Sequence, residues 1–218
     1  MRFEEVIGRL EGLPDPLPGP ADVLLPVVLD GPIERGWPVP SPDRAARAAA
    51  VLVLLYPEDG GQTRVVLIER TTGDRHHSGE VSFPGGKIEP GDRDAAAAAL
   101  REAHEEVGLD ASAAGVHVVG LLERFWIPVS NFQVTPVLAL ADGPPSLIAS
   151  KAEVTRIVEP PLATFLPDAP IEMIERTLRG RTVRYGAYAV DGLSVWGATA
   201  RILSQLGRVL APLAAAGR

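Results

Sequence analysis

Residues 83–87 read Phe-Pro-Gly-Gly-Lys, and residues 100–109 read Leu-Arg-Glu-Ala-His-Glu-Glu-Val-Gly-Leu. The first stretch predicts a glycine turn and the second a helix that carries three glutamates within about one turn. Helices normally avoid such a cluster, because like charges three or four residues apart destabilise them by roughly 0.2–0.5 kcal/mol per pair. A hard divalent cation between the carboxylates would account for it. The two stretches therefore predict a site that holds a metal ion against a diphosphate.

The predicted helix has an acidic face and an apolar face. At ~100° per residue, Glu102 and Glu106 point almost the same way, and Glu105 lies a short arc to one side. The opposite side carries the apolar residues Ala96, Leu100, Ala103 and Val107. A solvated acidic face is the alternative interpretation, and it would be favoured if Glu-x-x-Glu-Glu stood alone. The double glycine upstream and the flanking residues favour a metal-binding face.

The residues on either side of the glutamates include suitable caps for both ends of the predicted helix. Asp92 or Asp94 can cap its start, and Gly108 suits its end. Arg101 falls beside Glu105, where it can orient a carboxylate through a charge-assisted hydrogen bond.

Residues 86–109 resemble the signature of the Nudix hydrolases, which cleave nucleoside diphosphates linked to another moiety. Arg-Glu-x-x-Glu-Glu-x-Gly-Leu matches without a gap, but Asp92 stands where the general pattern has glutamate, and the linker to Arg101 is one residue longer. That form is similar to the coenzyme A diphosphatase branch of the family. Arg75, Gly79 and residues 83–86 also resemble the extra motif of this branch, although Ile68 replaces its usual threonine two residues before Arg70. Residues 134–137, 153–162 and 195–203 extend the resemblance.

The shared direction of Glu102 and Glu106 predicts that they are the main ligands of Mg²⁺ or Mn²⁺. Glu105 is a further ligand or the catalytic base, and a backbone carbonyl of Gly85 or Gly86 is expected to complete the shell, because glycine allows close approach. The resemblance implies a base from this helix or from a later loop.

Glu153, which precedes a predicted strand, is the candidate for a catalytic base from a later loop. The alternative is that Glu153 is a solvated loop residue without a catalytic role. The catalytic set is then Arg101, Glu102, Glu105 and Glu153. The expected substrate-binding residues are Arg75, His77, Gly79, Phe83, Gly85 and Lys87. Arg75 can neutralise a phosphate of the substrate.

Composition narrows the class of protein. The 218 residues suffice for one good core, with 46% hydrophobic and 22% charged residues. A net charge of −7 argues against a nucleic-acid partner, and the absence of cysteine excludes disulfides and thiolate chemistry. The sequence contains neither an uninterrupted apolar run long enough for a membrane span nor the pattern of a signal peptide. We expect a cytoplasmic protein without membrane contact, and the sequence leaves a homodimer open.

The chain is expected to divide into a short helix and proline-rich arm over residues 1–43, a catalytic domain over residues 44–210 and a tail over residues 211–218. The apolar run at 51–55 predicts a strand buried on both faces, followed by a strand at 63–69. Further strands are predicted at 116–125, 132–141 and 154–158, then a hairpin over 182–196 and a closing helix over 198–210. The fold class is α/β (α+β), an α/β/α sandwich with a mixed β-sheet, as the resemblance also implies.

The resemblance implies a hydrolase that cleaves coenzyme A or acyl-CoA to 3′,5′-ADP and 4′-phosphopantetheine or its acyl form. The alternatives are a hydrolase for another nucleotide derivative, such as NADH or ADP-ribose, and a non-catalytic nucleotide-binding regulator on the same fold. Intact glutamates and Arg101 argue against the regulator.

Overall fold

The computed structural model describes residues 1–30, 45–71, 80–178 and 180–211. The predicted site residues Arg75, His77 and Gly79 lie outside these ranges. So do the later part of the proline-rich arm and the tail from residue 212 onward.

Within the described ranges the chain forms three α-helices and thirteen strands. The helices are α1 (Phe3–Leu10), α2 (Ala95–Val107) and α3 (Gly197–Val209), with 3₁₀ turns at Asp22–Leu24 and Leu162–Phe165. The strands are β1 (Val27–Val28), β2 (Arg47–Pro57), β3 (Thr63–Val65), β4 (Leu67–Arg70), β5 (Val81–Ser82), β6 (Gly85–Lys87), β7 (His117–Leu121), β8 (Phe125–Ile127), β9 (Phe132–Leu140), β10 (Val154–Val158), β11 (Glu172–Leu178), β12 (Arg181–Val190) and β13 (Leu193–Val195). No helix in the described ranges is long and apolar enough to cross a membrane.

Strand β2 lies at the centre of a six-stranded mixed sheet. It runs parallel to β9 and antiparallel to β3 and β6, while β7 and β8 pair antiparallel with β9. Leu52 and Leu54 pack with the alanines of α2, whereas Val53 and Leu55 pack with residues of α1 and α3. Successive side chains of a strand point to opposite faces, so the apolar run of β2 fills two cores. The predicted burial on both faces and the α/β/α arrangement are confirmed.

Two smaller sheets complete the fold. One has the order β10–β4–β5, and the other has the order β1–β12–β11 with β13 also paired to β12. The predicted strand at 63–69 is interrupted at Val66, so that β3 joins the central sheet and β4 joins a second one. Strand β11 is absent from the prediction. Its residues Met173, Glu175 and Arg176 are exposed, so no apolar alternation marks it, and pairing with β12 holds it in place.

The described part of the N-terminal arm packs across α3. Val6, Leu10 and Leu24 are buried in the same core as Leu203 and Leu206. The Ala21 N–H donates to Ser204 Oγ at 2.9 Å, and Gln205 Nε2 donates to the Pro18 carbonyl at 2.9 Å. The predicted boundaries at residues 43/44 and 210/211 stay predictions.

Candidate active site

Helix α2 begins and ends at residues suited to its caps. Asp94 accepts a hydrogen bond from the Ala97 N–H at 2.8 Å, and Gly108 adopts the left-handed conformation at φ 65°. Asp94 is therefore the capping residue, whereas Asp92 accepts from the Glu89 N–H at 2.8 Å and pairs with Arg101. Ala98, Ala99, Ala103 and Val107 face the core beside β2, while Ala96 and Leu100 are only partly buried against it.

The double glycine brings the backbone of β6 into direct contact with β2 and with α2. A Cβ atom at Gly85 would lie 2.4 Å from the Ala50 carbonyl oxygen, and one at Gly86 would lie 2.6 Å from the Glu102 carboxylate. At Gly85 the obstacle is backbone, so only glycine fits there, whereas at Gly86 it is the end of the flexible Glu102 side chain, which would have to move. The Gly86 backbone therefore lies against the Glu102 carboxylate.

Glu106 is buried, with 1% of its side chain exposed. Its Oε1 accepts from Arg70 Nη1 and its Oε2 accepts from the Gly85 N–H, both at 2.9 Å. Burial raises the pKa of Glu106 to about 7, although the nearby Arg70 charge and the Gly85 N–H oppose the rise. Helical projection gives the direction of this side chain but not the residues of β4 and β6 that contact it.

Arg101 organises the neighbouring carboxylates. Its guanidinium pairs with Asp92 at 3.0 Å and with Glu102 and Glu105 at 3.1 Å each, and it donates to the Lys87 carbonyl at 3.1 Å. The hydrogen bonds from Arg101 lower the pKa of Asp92, whereas burial raises the pKa of Glu102 despite the Arg101 charge. Asp92, at the position of the family's usual glutamate, therefore anchors Arg101.

The three glutamates differ in accessibility, with side-chain exposure of 55% for Glu105, 15% for Glu102 and 1% for Glu106. Among the described residues, no three acidic or histidine side chains converge as a ready-made metal site. The predicted trio is thus not assembled, because Arg70 and Arg101 each hold carboxylate oxygens. Even so, the negative charge of Glu102 helps to raise the pKa of Glu106. Two coupled carboxylates beside a glycine backbone form an all-oxygen donor set that fits a hard divalent cation.

The loop before β10 is tied to the end of α2. The Ser150 N–H donates to the Glu106 carbonyl at 2.8 Å, the Ile148 N–H donates to the Val107 carbonyl at 2.8 Å, and the Thr71 N–H donates to the Glu153 carbonyl at 3.0 Å. Glu153 is among the groups whose charge raises the pKa of Glu102. The tertiary fold therefore brings Glu153 to the acidic helix, as its prediction as a site residue requires.

A cavity of about 900 Å³ adjoins these groups. Its charged lining residues are Arg70, Glu80, Lys151 and Glu153. Gly85 and Gly86 also line it, and they contact Glu106 and Glu102 of α2. Its apolar lining residues include Ile127, Phe132, Trp196 and Ile202. A mostly apolar wall with a few charged groups is typical of a site for a small organic ligand.

The cavity divides the predicted site residues into two groups. Phe83, Gly85, Gly86 and Glu153 line it, although the Phe83 side chain is a core residue at 2% exposure. The side chains of Arg101, Glu102, Glu105, Glu106 and Lys87 are not part of its lining.

The cavity residues that sequence reasoning did not assign to the site include Arg70, Lys151 and Trp196. Trp196 stacks on buried Tyr185 with ring centroids 4.6 Å apart, and it also lines the cavity. Lys151 had a signal in the sequence, because the chain contains only two lysines.

Comparison with known proteins places these features in a family. The NUDIX domain family matches residues 46–153. The Nudix hydrolase NudL of Salmonella paratyphi B is 39% identical over 164 residues, covering 73% of this chain and 81% of that protein. "Nudix hydrolase 15, mitochondrial" of Arabidopsis thaliana is 38% identical over 175 residues, covering 77% of this chain and 60% of that protein. The chain thus spans less than two thirds of the Arabidopsis relative.

A solved structure shows the same fold. The crystal structure of a MutT/nudix family protein from Enterococcus faecalis has a TM-score of 0.50 and 19% sequence identity, covering 79% of this chain and 65% of that one. With the Salmonella relative matched over most of its length, the chain belongs to the Nudix hydrolase family, which confirms the family predicted from residues 86–109.

Proposed function

We propose that this protein is a metal-dependent hydrolase that cleaves the diphosphate of coenzyme A or acyl-CoA to 3′,5′-ADP and 4′-phosphopantetheine or its acyl form. The observation that carries the proposal is the cavity beside α2, whose lining combines charged and apolar groups. Arg70, Glu80, Lys151 and Glu153 are its charged lining residues, and Phe132 and Trp196 are among its apolar ones. Its two cations suit a diphosphate, and its apolar groups suit a long, largely apolar arm such as pantetheine.

The motif upstream of the double glycine supports coenzyme A over other nucleotide derivatives. Arg75, Gly79 and residues 83–86 have the spacing of the coenzyme A diphosphatase branch. Arg75 and His77 remain proposed phosphate-binding residues, because residues 72–79 lie outside the described ranges. Lys87 is an exposed residue directly after the double glycine, and it is proposed to contact the substrate as well.

Glu102 and Glu106, with the Gly86 carbonyl, would hold Mg²⁺ or Mn²⁺. When bound, such an ion neutralises diphosphate charge and makes a coordinated water more acidic. The chain prepares its own part of this site, since the Gly85 N–H and Arg70 fix the Glu106 carboxylate in place. Arg101 does the same for Glu102 through their 3.1 Å ion pair.

Glu153 is the proposed general base, with Glu105 as the alternative. Glu153 lines the cavity, whereas Glu105 does not line it and is held by Arg101 in a 3.1 Å ion pair. In the reaction the oxygen of the attacking water bonds to phosphorus, the bridging phosphorus–oxygen bond breaks, and the carboxylate takes the proton of the water. Glu153→Gln should therefore lower kcat far more than Glu105→Gln does.

The test is incubation of the protein with coenzyme A and Mg²⁺ or Mn²⁺, followed by identification of the products by mass spectrometry. Dephospho-coenzyme A is the matched substrate control, since it differs only in lacking the 3′-phosphate. We expect 3′,5′-ADP and phosphopantetheine from the wild type, slower cleavage of the control substrate, and no products from Glu106→Gln. Equal rates on coenzyme A and dephospho-coenzyme A, or faster cleavage of NADH or ADP-ribose, would mean that coenzyme A is not the preferred substrate. Nucleotide binding without turnover of any of them would favour the regulator.

A cytoplasmic location, the absence of a nucleic-acid partner and a homodimer stay predictions. The net charge of −7 supports the second of these, because phosphate backbones are held by basic surfaces.

A further inference from the structure

The distribution of lysine in this chain is uneven. Of its 21 basic residues, only Lys87 and Lys151 are lysines, and the others are arginines. Lys87 follows the double glycine, and Lys151 lines the cavity. Lys151 is therefore the one lysine of the described residues that lines the cavity, whereas Lys87 contacts Arg101 through its backbone carbonyl.

The backbone around Lys151 is held on both sides. Ser150 is bonded to the Glu106 carbonyl, and the Ala152 carbonyl accepts from Thr71 Oγ1 at 3.4 Å. The Glu153 carbonyl accepts from the Thr71 N–H at 3.0 Å. Lys151 thus projects from a loop that is fixed to α2 at one end and to the end of β4 at the other. A fixed backbone lowers the entropy cost of presenting a charged side chain to a ligand.

The cavity lining carries two cations, Arg70 and Lys151, and two carboxylates, Glu80 and Glu153. Arg70 is paired with buried Glu106 at 2.9 Å. Among the residues that the structure describes, no carboxylate pairs with the Lys151 ammonium, which is exposed. In a protein of net charge −7, an anionic ligand depends on such local cations.

We propose that Lys151 is a substrate-binding residue that contacts a phosphate group of the nucleotide derivative in the cavity. The assignment rests on the proposed function, since that function supplies the diphosphate substrate. An ammonium suits this position because it is a compact point charge that can follow a phosphate as its geometry changes. Lys151 binds the ground state and the transition state alike, so its loss should raise KM and leave kcat nearly unchanged.

The first test is calorimetric titration of the purified protein with inorganic pyrophosphate and with ADP, without added metal. Lys151→Met should weaken binding at least about ten-fold, because a charge-assisted hydrogen bond is lost. Lys151→Arg keeps the charge and should stay within about three-fold of the wild type. Arg124→Met is the matched control. It removes one exposed positive charge that does not line the cavity, and it should bind as the wild type does.

Three results would overturn the assignment: unchanged binding in Lys151→Met, equal weakening in Arg124→Met, or equal weakening in Lys151→Arg and Lys151→Met. A second measurement needs no substitution. Acetylation of the wild type with a lysine-selective reagent, read by peptide mass spectrometry, should be slower at Lys151 when pyrophosphate is present. Unchanged labelling would also overturn the assignment.

Coenzyme A cleavage and pyrophosphate binding test the substrate and the Lys151 contact separately. If the wild type fails to cleave coenzyme A while pyrophosphate binding depends on Lys151, the phosphate contact stands and the substrate is wrong. If coenzyme A is cleaved but Lys151→Met has an unchanged KM and unchanged pyrophosphate binding, only the Lys151 assignment fails.

Discussion

Replacing Glu106 with glutamine should change how the stability of the metal-free protein depends on pH. The Glu106 carboxyl is 1% exposed, and burial raises its pKa from 4.5 to about 7. The folded protein therefore holds a proton at pH values where the unfolded chain has already released it. Stability falls as pH rises whenever the folded state binds more protons than the unfolded state. The wild type should therefore lose stability as pH rises between the two pKa values.

The size of the stability loss follows from the pKa shift of Glu106. An acid whose pKa rises on folding from 4.5 to about 7 weakens the folded state by about 3 kcal/mol once it is ionised in both states. The loss is complete above the folded pKa and absent below the unfolded one. Glutamine keeps the side-chain oxygen that accepts from the Gly85 N–H but carries no titratable proton. Glu106→Gln should lack this loss of about 3 kcal/mol.

The assay is urea unfolding of both proteins in a chelating buffer, from about pH 5 to about pH 8. Glu105→Gln serves as the matched control, because that side chain is 55% exposed and should leave the pH profile parallel to the wild type. Stability curves for wild type and Glu106→Gln that run parallel across this range would refute the reasoning. They would show that the buried carboxyl carries no cost when it is ionised.

Two further substitutions test the close contacts of the fold. Gly86→Ala places a Cβ atom 2.6 Å from the Glu102 carboxylate, a flexible group that can swing away, so kcat/KM should fall at least about 100-fold while stability changes by less than about 1 kcal/mol. Gly91→Ala is the matched control, because a Cβ at Gly91 has nothing within 4 Å, and it should keep full activity. Full activity in Gly86→Ala would contradict the placement of Glu102 against the Gly86 backbone. Gly207→Ala in α3 places a Cβ atom 2.2 Å from the Phe165 carbonyl oxygen, and the forced backbone shift should cost about 2–3 kcal/mol in urea unfolding. Gly8→Ala in α1 has open space around its Cβ and should be neutral or stabilising by up to about 1 kcal/mol, so equal effects of the two changes would exclude the clash as the cause.

The arrangement of ion pairs divides the site into two parts. Arg101 holds the accessible carboxylates Glu102 and Glu105, while Arg70 holds the buried Glu106. A divalent cation shared by Glu102 and Glu106 would therefore join two groups that separate arginines position. Arg101 offsets part of the cost of ionising Glu102, and Arg70 does the same for Glu106, because an adjacent positive charge favours the carboxylate form.

The order of apolar, charged and cap residues along the chain was enough to predict α2, its caps and most of the core strands. The burial of β2 on both faces follows from its continuous apolar run, and the αL conformation of Gly108 follows from its place at a helix end. The family could be predicted as well, because its signature lies in one continuous stretch from Gly86 to Leu109. Strand β11 could not, since its exposed residues carry no apolar period and its pairing partner lies further along the chain.

What the sequence determined by itself is the set of groups that lie on one element or in one tight connection: three glutamates and Arg101 on a helix, with a double glycine before it. Tertiary structure alone decided that Glu106 is buried against Arg70 and that Lys151, Glu153 and Trp196 share a cavity. The physical reason is that helical projection gives the direction of a side chain but not what covers it. Burial, pKa and access to ligand depend on strands β4 and β6 and on the loop before β10, which only the folded chain brings together.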